Sequence, residues 1–234
     1  KYDTDRMLST NFVNTENRAG MYVSTNIDLD RMSLEAGLRY EIQKSKYNNR
    51  IDDGENMNRK YFHFFPSFSI SSKKSLWNNN LSFSVRTIRP TFRQLSNANF
   101  YISDVKYQQG NPLLKPSYLS ILQWSSGYKW INFNTSYTCQ KNYLSTVFYS
   151  DSSHPGTVIS SFTNYDKMQF LKTNLILQKN FSWWKPALTI GLLQPFFHCQ
   201  YRGEDISCNH AQLYFTVNQY FQLGRSYLLS LYYY

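Results

Sequence analysis

The sequence contains no uninterrupted apolar run of about 18 residues, the length that a membrane-spanning helix requires. Glycine and proline are scarce, with 9 and 7 among 234 residues, which excludes a collagen-like or low-complexity chain. Tyrosine and phenylalanine are abundant instead, with 20 and 17 residues, and this aromatic content is not typical of a disordered chain. The sequence therefore predicts a folded protein without membrane-spanning helices. Crossing through strands stays open, because transmembrane strands give a much weaker hydropathy signal.

Motifs of catalysis and metal binding are missing as well. The sequence has no Gly-x-Ser-x-Gly elbow and no phosphate-binding loop, and its four histidines show no His-x-x-x-His spacing. The adjacent carboxylates Asp52 and Asp53 lie in a polar loop, where solvated charge is the simpler interpretation. We therefore predict no enzymatic activity, no catalytic residue, no metal site and no cofactor.

The charge balance is basic, with 25 Lys and Arg against 15 Asp and Glu. After Arg59 and Lys60, however, the basic residues stand singly, except for the pair Lys73 and Lys74. Nucleic-acid binding favours a clustered basic stripe. We therefore expect no nucleic-acid partner.

Alternation of apolar and polar residues is the dominant pattern. Over residues 32–43, for example, the even-numbered residues are apolar and the odd-numbered ones are mostly polar. This period of two is typical of strands with one apolar and one polar face, and no segment shows a convincing helical period. The pattern predicts an all-β chain of about ten strands, at 17–27, 32–46, 60–72, 79–90, 116–128, 131–149, 166–180, 186–202, 207–222 and 226–234.

The predicted connections alternate in length. Short ones lie at 28–31, 73–79, 129–130, 181–185 and 223–225, whereas longer polar ones lie at 47–59, 91–115 and 150–165. Long strands with tight turns at one end and long loops at the other indicate an antiparallel up-and-down transmembrane β-barrel. A soluble sandwich would have shorter strands, of about five or six residues.

The register of two predicted hairpins supports one apolar face. A two-residue turn at Leu29 and Asp30 would pair residues whose numbers sum to 59, and a turn at Lys129 and Trp130 would pair residues whose numbers sum to 259. Both registers place apolar residues opposite apolar residues. Such a face is what contact with lipid requires.

Tryptophan is concentrated beside the short turns. Indole rings favour the membrane interface, where the ring is half buried and its N–H stays hydrated. Core-packing tryptophans would lie mid-strand, as Trp124 does. We predict an interfacial aromatic girdle at the short-turn end, formed by Trp77, Trp130, Trp183 and Trp184.

Two further features concern the strands. Pro66 and Pro195 lie inside strands, where each removes a hydrogen-bond donor, so we expect bulges or bends there. If Gly203 and Glu204 formed a two-residue turn, Cys199 would lie opposite Cys208 in a non-hydrogen-bonded pair, which a disulfide can span. These cysteines are therefore candidates for a disulfide. Unpaired thiols are the alternative, and zinc is disfavoured because the neighbouring imidazoles would not lie directly opposite.

Charged residues on the polar faces of strands are candidates for a position inside the barrel. If the apolar face meets lipid, the opposite face points into the lumen, where charges stay solvated or paired. The lumen-facing candidates are Glu35, Arg39, Glu41 and Arg86. They would bond to one another or to a plug, or line a substrate path.

Four short motifs follow one another between residues 37 and 116: Gly37-Leu38-Arg39-Tyr40-Glu41, Phe65-Pro66-Ser67, Arg89-Pro90 and Gly110-Asn111-Pro112-Leu113-Leu114-Lys115-Pro116. In this order they resemble the barrel of the TonB-dependent receptor-like outer-membrane proteins of Bacteroidota. The residues that match the motifs are Gly37, Arg39, Glu41, Pro66, Arg89, Pro90, Gly110, Asn111, Pro112 and Pro116. A structural role is expected for them, with ligand contact as the alternative for the loop between Arg89 and Pro116.

The resemblance implies a barrel of about 22 strands whose lumen holds a plug. It also implies nutrient uptake across the outer membrane, driven by a TonB energy-coupling complex that acts on that plug. The chain shows no plug and too few strands, so we expect residues 1–234 to be one portion of such a barrel.

The predicted location is the cell outer membrane, with lipid as one partner and a surface lipoprotein as another. Loops 47–59, 91–115 and 150–165 are the candidates for ligand contact, because loops on a rigid scaffold carry binding. Two alternatives stay open. One is a non-transporting surface barrel that presents loops for adhesion or assembly, and the other is a soluble aromatic-rich β protein that binds glycans.

Overall fold

The computed structural model describes residues 12–49, 56–96, 98–151, 156–201, 203–224 and 227–233. All of its 13 strands belong to one sheet. They are β1 Phe12–Leu29, β2 Met32–Asn49, β3 Met57–Lys74, β4 Trp77–Ile88, β5 Asn99–Ser103, β6 Lys106–Gln109, β7 Ser117–Tyr128, β8 Ile131–Ser150, β9 Val158–Gln178, β10 Trp184–Tyr201, β11 Glu204–Cys208, β12 Gln212–Leu223 and β13 Tyr227–Tyr233. One short helix, α1, covers Phe92–Leu95.

Ten strands form an up-and-down wall, in the order β1-β2-β3-β4-β7-β8-β9-β10-β12-β13. Each wall strand pairs with the next in antiparallel orientation. The predicted fold class, an all-β antiparallel meander of about ten long strands, is confirmed. Among the described residues, no helix has the length and hydropathy of a membrane span.

The wall has a continuous apolar face. Leu34, Ile70, Leu81 and Trp124 are cross-strand neighbours on β2, β3, β4 and β7, and paired residues point to the same side of a sheet. Many side chains of this face are exposed, for example Val23 at 67%. Within the described residues only Tyr47, Phe65, Ala98 and Leu114 are buried and hydrophobic. The described part of the chain therefore has no second layer that covers this face.

The register of the first hairpin differs from the prediction. Leu29 pairs with Met32, so the turn consists of Asp30 and Arg31 and the pair numbers sum to 61 instead of 59. The pair next to the turn, Leu29 and Met32, consists of two apolar residues. A register shift of two residues leaves every side chain on its predicted face. In the second hairpin Tyr128 pairs with Ile131, as predicted.

The longest strands exceed the length that would cross a bilayer. A tilted strand crosses a bilayer with about 9–11 residues, whereas β8 has 20 and β9 has 21. The predicted loop 150–165 is therefore mostly wrong, because β9 already begins at Val158. Outside the bilayer neither face must be apolar, so this part of β9 lacks the alternation that identifies a strand. In the predicted loop 47–59, residues 47–49 belong to β2 and 57–59 belong to β3, while 50–55 lie outside the described residues.

Two short strands leave a notch in the wall. β4 and β7 have 12 residues each, and they lie between β3, with 18, and β8. Pairing of β3 with β4 ends at Ser67 and Ser84, next to Pro66, which has no N–H to donate. Pairing of β10 with β12 likewise ends at Leu193, two residues before Pro195. Each proline marks the point at which a neighbouring strand departs.

The chain between β4 and β7 is a folded segment instead of an open loop. It contains α1 and the hairpin of β5 and β6, and β6 adds in parallel to β9 through Lys106–Gln108 and Val158–Ser160. Thr91 caps α1 through a capping box with Gln94. Four helical residues are too few for a helical period, so the sequence pattern could not reveal α1. We refer to residues 89–116 as the inserted segment.

Candidate functional site

A buried carboxylate marks the start of the inserted segment. Glu41 is only 2% exposed, and its Oε2 accepts a hydrogen bond of 2.7 Å from Nη2 of Arg39. Its Oε1 accepts a hydrogen bond from Nη2 of Arg89, the first residue after β4. Nε of Arg89 also donates to Oε1 of Gln43 at 3.1 Å. Two guanidinium groups therefore compensate one carboxylate, as a buried charge requires.

A polar aromatic pair lies beside this carboxylate. His63 on β3 is directly opposite Glu41 on β2. The hydroxyl of Tyr118, on β7, lies 2.9 Å from Nε2 of His63, and the two ring centroids are 4.9 Å apart. The ring of Tyr61 also stacks on His63, with the ring centroids 5.7 Å apart. We call Arg39, Glu41, Gln43, His63, Arg89 and Tyr118 together the Glu41 cluster.

The Gly-Asn-Pro motif packs against α1. A Cβ atom on Gly110 would lie 2.1 Å from the carbonyl oxygen of Ser96, so only glycine fits there without a backbone shift. The N–H of Asn111 donates to the carbonyl of Gln94 at 2.6 Å, and its side-chain amide donates to the carbonyl of Phe162 on β9 at 2.9 Å. The motif thus joins the helix of the inserted segment to the wall.

Two further side chains of the wall hold the end of this motif. Arg59 on β3 donates to the carbonyls of Pro112 at 2.6 Å and Leu114 at 2.7 Å. Asn164 on β9 accepts from the N–H of Lys115 at 2.8 Å and donates to its carbonyl at 3.1 Å. Leu114 between them is 1% exposed. The inserted segment is therefore tied to both sides of the notch.

The structure brings some of the predicted residues together and leaves others apart. Arg39, Glu41 and Arg89 meet, although 48 residues separate the last two along the chain. Glu35 lies opposite Ser69 and Arg86 lies opposite Leu119. In the described chain neither of these two joins an ion pair.

Sequence reasoning missed Gln43, His63, Tyr118, Arg59 and Asn164. Gln43 and His63 carried a signal, since a period of two places Gln43 beside Glu41 and the β2–β3 register places His63 opposite it. Arg59, Tyr118 and Asn164 lie on strands that are not adjacent to their partners in sequence. No local pattern identifies them.

The cysteine prediction is corrected by the register of β10 and β11. Tyr201 pairs with Glu204, so Cys199 lies opposite Ile206 and Cys208 lies opposite Phe197. The predicted register is therefore wrong by two residues, and both thiols are free. Gly203 precedes β11 and adopts a positive φ of 83°, a conformation that favours glycine and a turn at this position. Within the described residues no group of three His, Cys, Asp or Glu side chains is placed to hold a metal ion.

The four predicted girdle tryptophans lie at the end of the wall that carries the short connections. The rings of Trp77 and Tyr128 are 4.6 Å apart. Trp184 stacks on Phe181 at 5.3 Å, and its indole N–H donates to Gln219 at 3.1 Å. Trp130 lies in the β7–β8 turn and Trp183 in the β9–β10 connection, and both are exposed.

Solved structures of transporters share this fold. The FrpB iron transporter of Neisseria meningitidis (F3-3 variant) has a TM-score of 0.56 at 16% identity, over 91% of this chain and 31% of that one. The copper transporter OprC has a TM-score of 0.63 at 11% identity, over 90% of this chain and 34% of that one. The alcaligin outer-membrane receptor FauA of Bordetella pertussis has a TM-score of 0.51 at 15% identity, over 92% of this chain and 36% of that one. At such identities the likeness concerns the fold alone. The chain spans about a third of the length of these structures.

Comparison of the sequence with family models identifies the protein family. A comparison with curated proteins gives no match. The model of the outer membrane protein beta-barrel family, in contrast, matches residues 1–234. The matched region includes the ten wall strands, the inserted segment and the Glu41 cluster. The chain therefore belongs to the outer membrane β-barrel protein family.

Proposed function

We propose that this chain forms part of the barrel wall of a TonB-dependent receptor-like transporter of the Bacteroidota type. Such a protein would take up a scarce nutrient across the outer membrane. A TonB energy-coupling complex would act on a plug inside the barrel, and a surface lipoprotein would sit on the loops. The fold shared with the FrpB, OprC and FauA structures supports this proposal.

The observation that carries the proposal is the inserted segment. Its first residue, Arg89, is fixed by Glu41, and its last turn is fixed by Arg59 and Asn164. A ligand contact works only when the contacting surface is held in place. The two anchored ends hold this segment on the wall, as a ligand-contacting segment of a transporter would require.

The hairpin of β5 and β6 is the proposed ligand-contacting element. Tyr101, Ile102 and Val105 around its tip are exposed. The Tyr101 hydroxyl donates to the Asp104 carboxylate at 2.6 Å, and this hydrogen bond raises the pKa of Tyr101 above its usual value. An amphipathic aromatic side chain of this kind makes both apolar and polar contacts with a ligand.

The test replaces residues 99–109 in the full-length protein by a Gly-Ser linker of equal length. Because the similar structures are named for iron, copper and alcaligin, the first probes are iron supplied with alcaligin and copper. We expect cellular uptake of at least one probe to fall about tenfold, equivalent to one or two lost contacts. The amount of heat-modifiable barrel in the outer membrane should stay unchanged.

The matched control replaces β11, Glu204–Cys208, by a Gly-Ser linker of equal length. Among the described strands β11 pairs only with β10. This variant should keep wild-type uptake. Uptake should also disappear in a strain without TonB, because TonB would drive the transport. A surface barrel for adhesion would not require TonB. If a strain lacking the whole protein takes up both probes at the wild-type rate, transport of this substrate class is contradicted.

A further inference from the structure

Three lysines stand beside the aromatic residues at the short-connection end. Lys74 is the cross-strand partner of Trp77. The Nζ atom of Lys129 lies 5.3 Å from the ring centroid of Tyr128, and that of Lys179 lies 5.1 Å from the ring centroid of Phe181. All three side chains are exposed.

These aromatic rings belong to the border of the apolar face. Tyr128 pairs with Ile131, which pairs with Leu177, so the ring of Tyr128 lies on the apolar side of the wall. Trp184 pairs with Phe221 on the same side, and their rings are 6.4 Å apart and nearly parallel. An aromatic border of an apolar face lies at the boundary between hydrocarbon and headgroups. The three ammonium groups therefore lie at headgroup depth.

Acidic residues are few at the short-connection end of the described wall. The acidic residues in the described short connections are Asp28 and Asp30, and both belong to the β1–β2 hairpin. That hairpin adjoins the turn beside Lys74, because the N–H of Lys73 donates to the carbonyl of Arg31 at 2.9 Å, whereas Lys129 and Lys179 lie farther along the wall. Among the described residues these three ammonium groups form no ion pair, so we expect their counter-ions to come from the surroundings.

We infer that Lys74, Lys129 and Lys179, with Trp77, Tyr128 and Phe181, form a binding surface for anionic phospholipids in the leaflet at the short-connection end. The phosphate would accept from the ammonium groups while the acyl chains cover the aromatic rings. A soluble phosphate would leave those rings uncovered, and an acidic protein would have to displace lipid from them. The inference depends on the membrane fold and not on the proposed transport.

The experiment uses the full-length protein in vesicles of brominated phosphatidylcholine at low ionic strength. Bromine quenches tryptophan, so fluorescence recovers when unbrominated phosphatidylglycerol replaces brominated lipid at the protein. A lysine near an anionic surface contributes about a fivefold preference. We expect the wild type to prefer phosphatidylglycerol about fivefold or more. The triple variant Lys74→Gln, Lys129→Gln, Lys179→Gln should show a preference near one.

The control variant is Lys44→Gln, Lys60→Gln, Lys167→Gln, which removes three exposed lysines far from the short connections and should behave like the wild type. A wild type without preference, or a triple variant with full preference, would overturn the inference. So would loss of the preference when inorganic phosphate replaces chloride at constant ionic strength, because a free-anion site would then be present.

Two further measurements test the inference in case the triple lysine variant does not insert into the membrane. The variant Lys74→Arg, Lys129→Arg, Lys179→Arg keeps the charges and should keep the preference. In about 0.5 M salt, where screening reduces the Debye length to about 4 Å, the wild-type preference should fall severalfold. A preference that is independent of salt would contradict the electrostatic contact.

Discussion

Glu41 shows how one residue connects two distant parts of the chain. Its carboxylate is almost fully buried and is shared by Arg39, two residues away on β2, and by Arg89 after β4. Arg39 is half exposed, whereas Arg89 is largely buried. Loss of the carboxylate would therefore leave the Arg89 guanidinium without a counter-ion in a site from which water is mostly excluded. A buried charge without a partner is costly.

We predict that Glu41→Gln destabilises the barrel by about 2–3 kcal/mol, the range for a charged hydrogen bond lost at a buried site. The measurement is urea unfolding of the full-length protein in vesicles. The control is Glu35→Gln on the same strand, where the carboxylate is exposed and no ion pair is described. That change should stay within about 0.5 kcal/mol of the wild type. Equal stability of the two variants would contradict the role of the Glu41 cluster.

Sequence patterns predicted only part of this cluster. The spacing of Arg39 and Glu41 on one strand places them on one face, because a strand has a period of two. Arg89 was singled out by its motif, but its contact with Glu41 depends on how β4 ends. Tyr118 had no local signal at all. Contacts between strands that are distant in sequence require the sheet order and the notch, which no short window of sequence contains.

At the scale of elements, the inserted segment replaces missing sheet partners. The outer parts of β3 and β8 extend beyond the ends of β4 and β7. Arg59, on the outer part of β3, donates both of its terminal nitrogens to carbonyls of Pro112 and Leu114. Backbone groups of an irregular segment are thereby satisfied by a side chain of the wall.

We predict that Arg59→Ala releases residues 110–116 from β3. Two charge-assisted hydrogen bonds are lost, each contributing about 1.5–3 kcal/mol. Hydrogen exchange of the amides of Leu113, Leu114 and Lys115 should accelerate by at least about tenfold, which corresponds to 1.4 kcal/mol. Lys60→Ala, at the adjacent exposed position, should leave these rates unchanged. Unchanged exchange in Arg59→Ala would show that the segment is held by other contacts.

An apolar–polar alternation of period two determines some features of a strand and leaves others open. It determines the face of each residue, so the apolar face was predicted even where the first hairpin was displaced by two residues. It does not determine the absolute register. The predicted pairing of Cys199 with Cys208 depended on that register, and the turn, where Gly203 has a positive φ, lies elsewhere.

The apolar face of the whole wall needs a cover that shields it from water. A water-soluble β protein would bury this face against a second sheet, but the described residues form a single sheet. Membership of the outer membrane β-barrel family indicates hydrocarbon as the cover. The aromatic residues and lysines at the short-connection end would then lie at the lipid headgroups, and the inserted segment would lie at the opposite end.

The collision accessibility of nitroxide labels tests most directly whether the apolar face of the wall contacts lipid. After replacement of the three cysteines by serine, single labels would be placed in the full-length protein at Phe68, Ile70 and Leu81 on the apolar face and at Ser69 and Ser82 on the opposite face. In vesicles, the first three labels should be accessible to oxygen and the last two to a water-soluble nickel chelate. Equal access of the nickel chelate to both sets would contradict a lipid-facing wall.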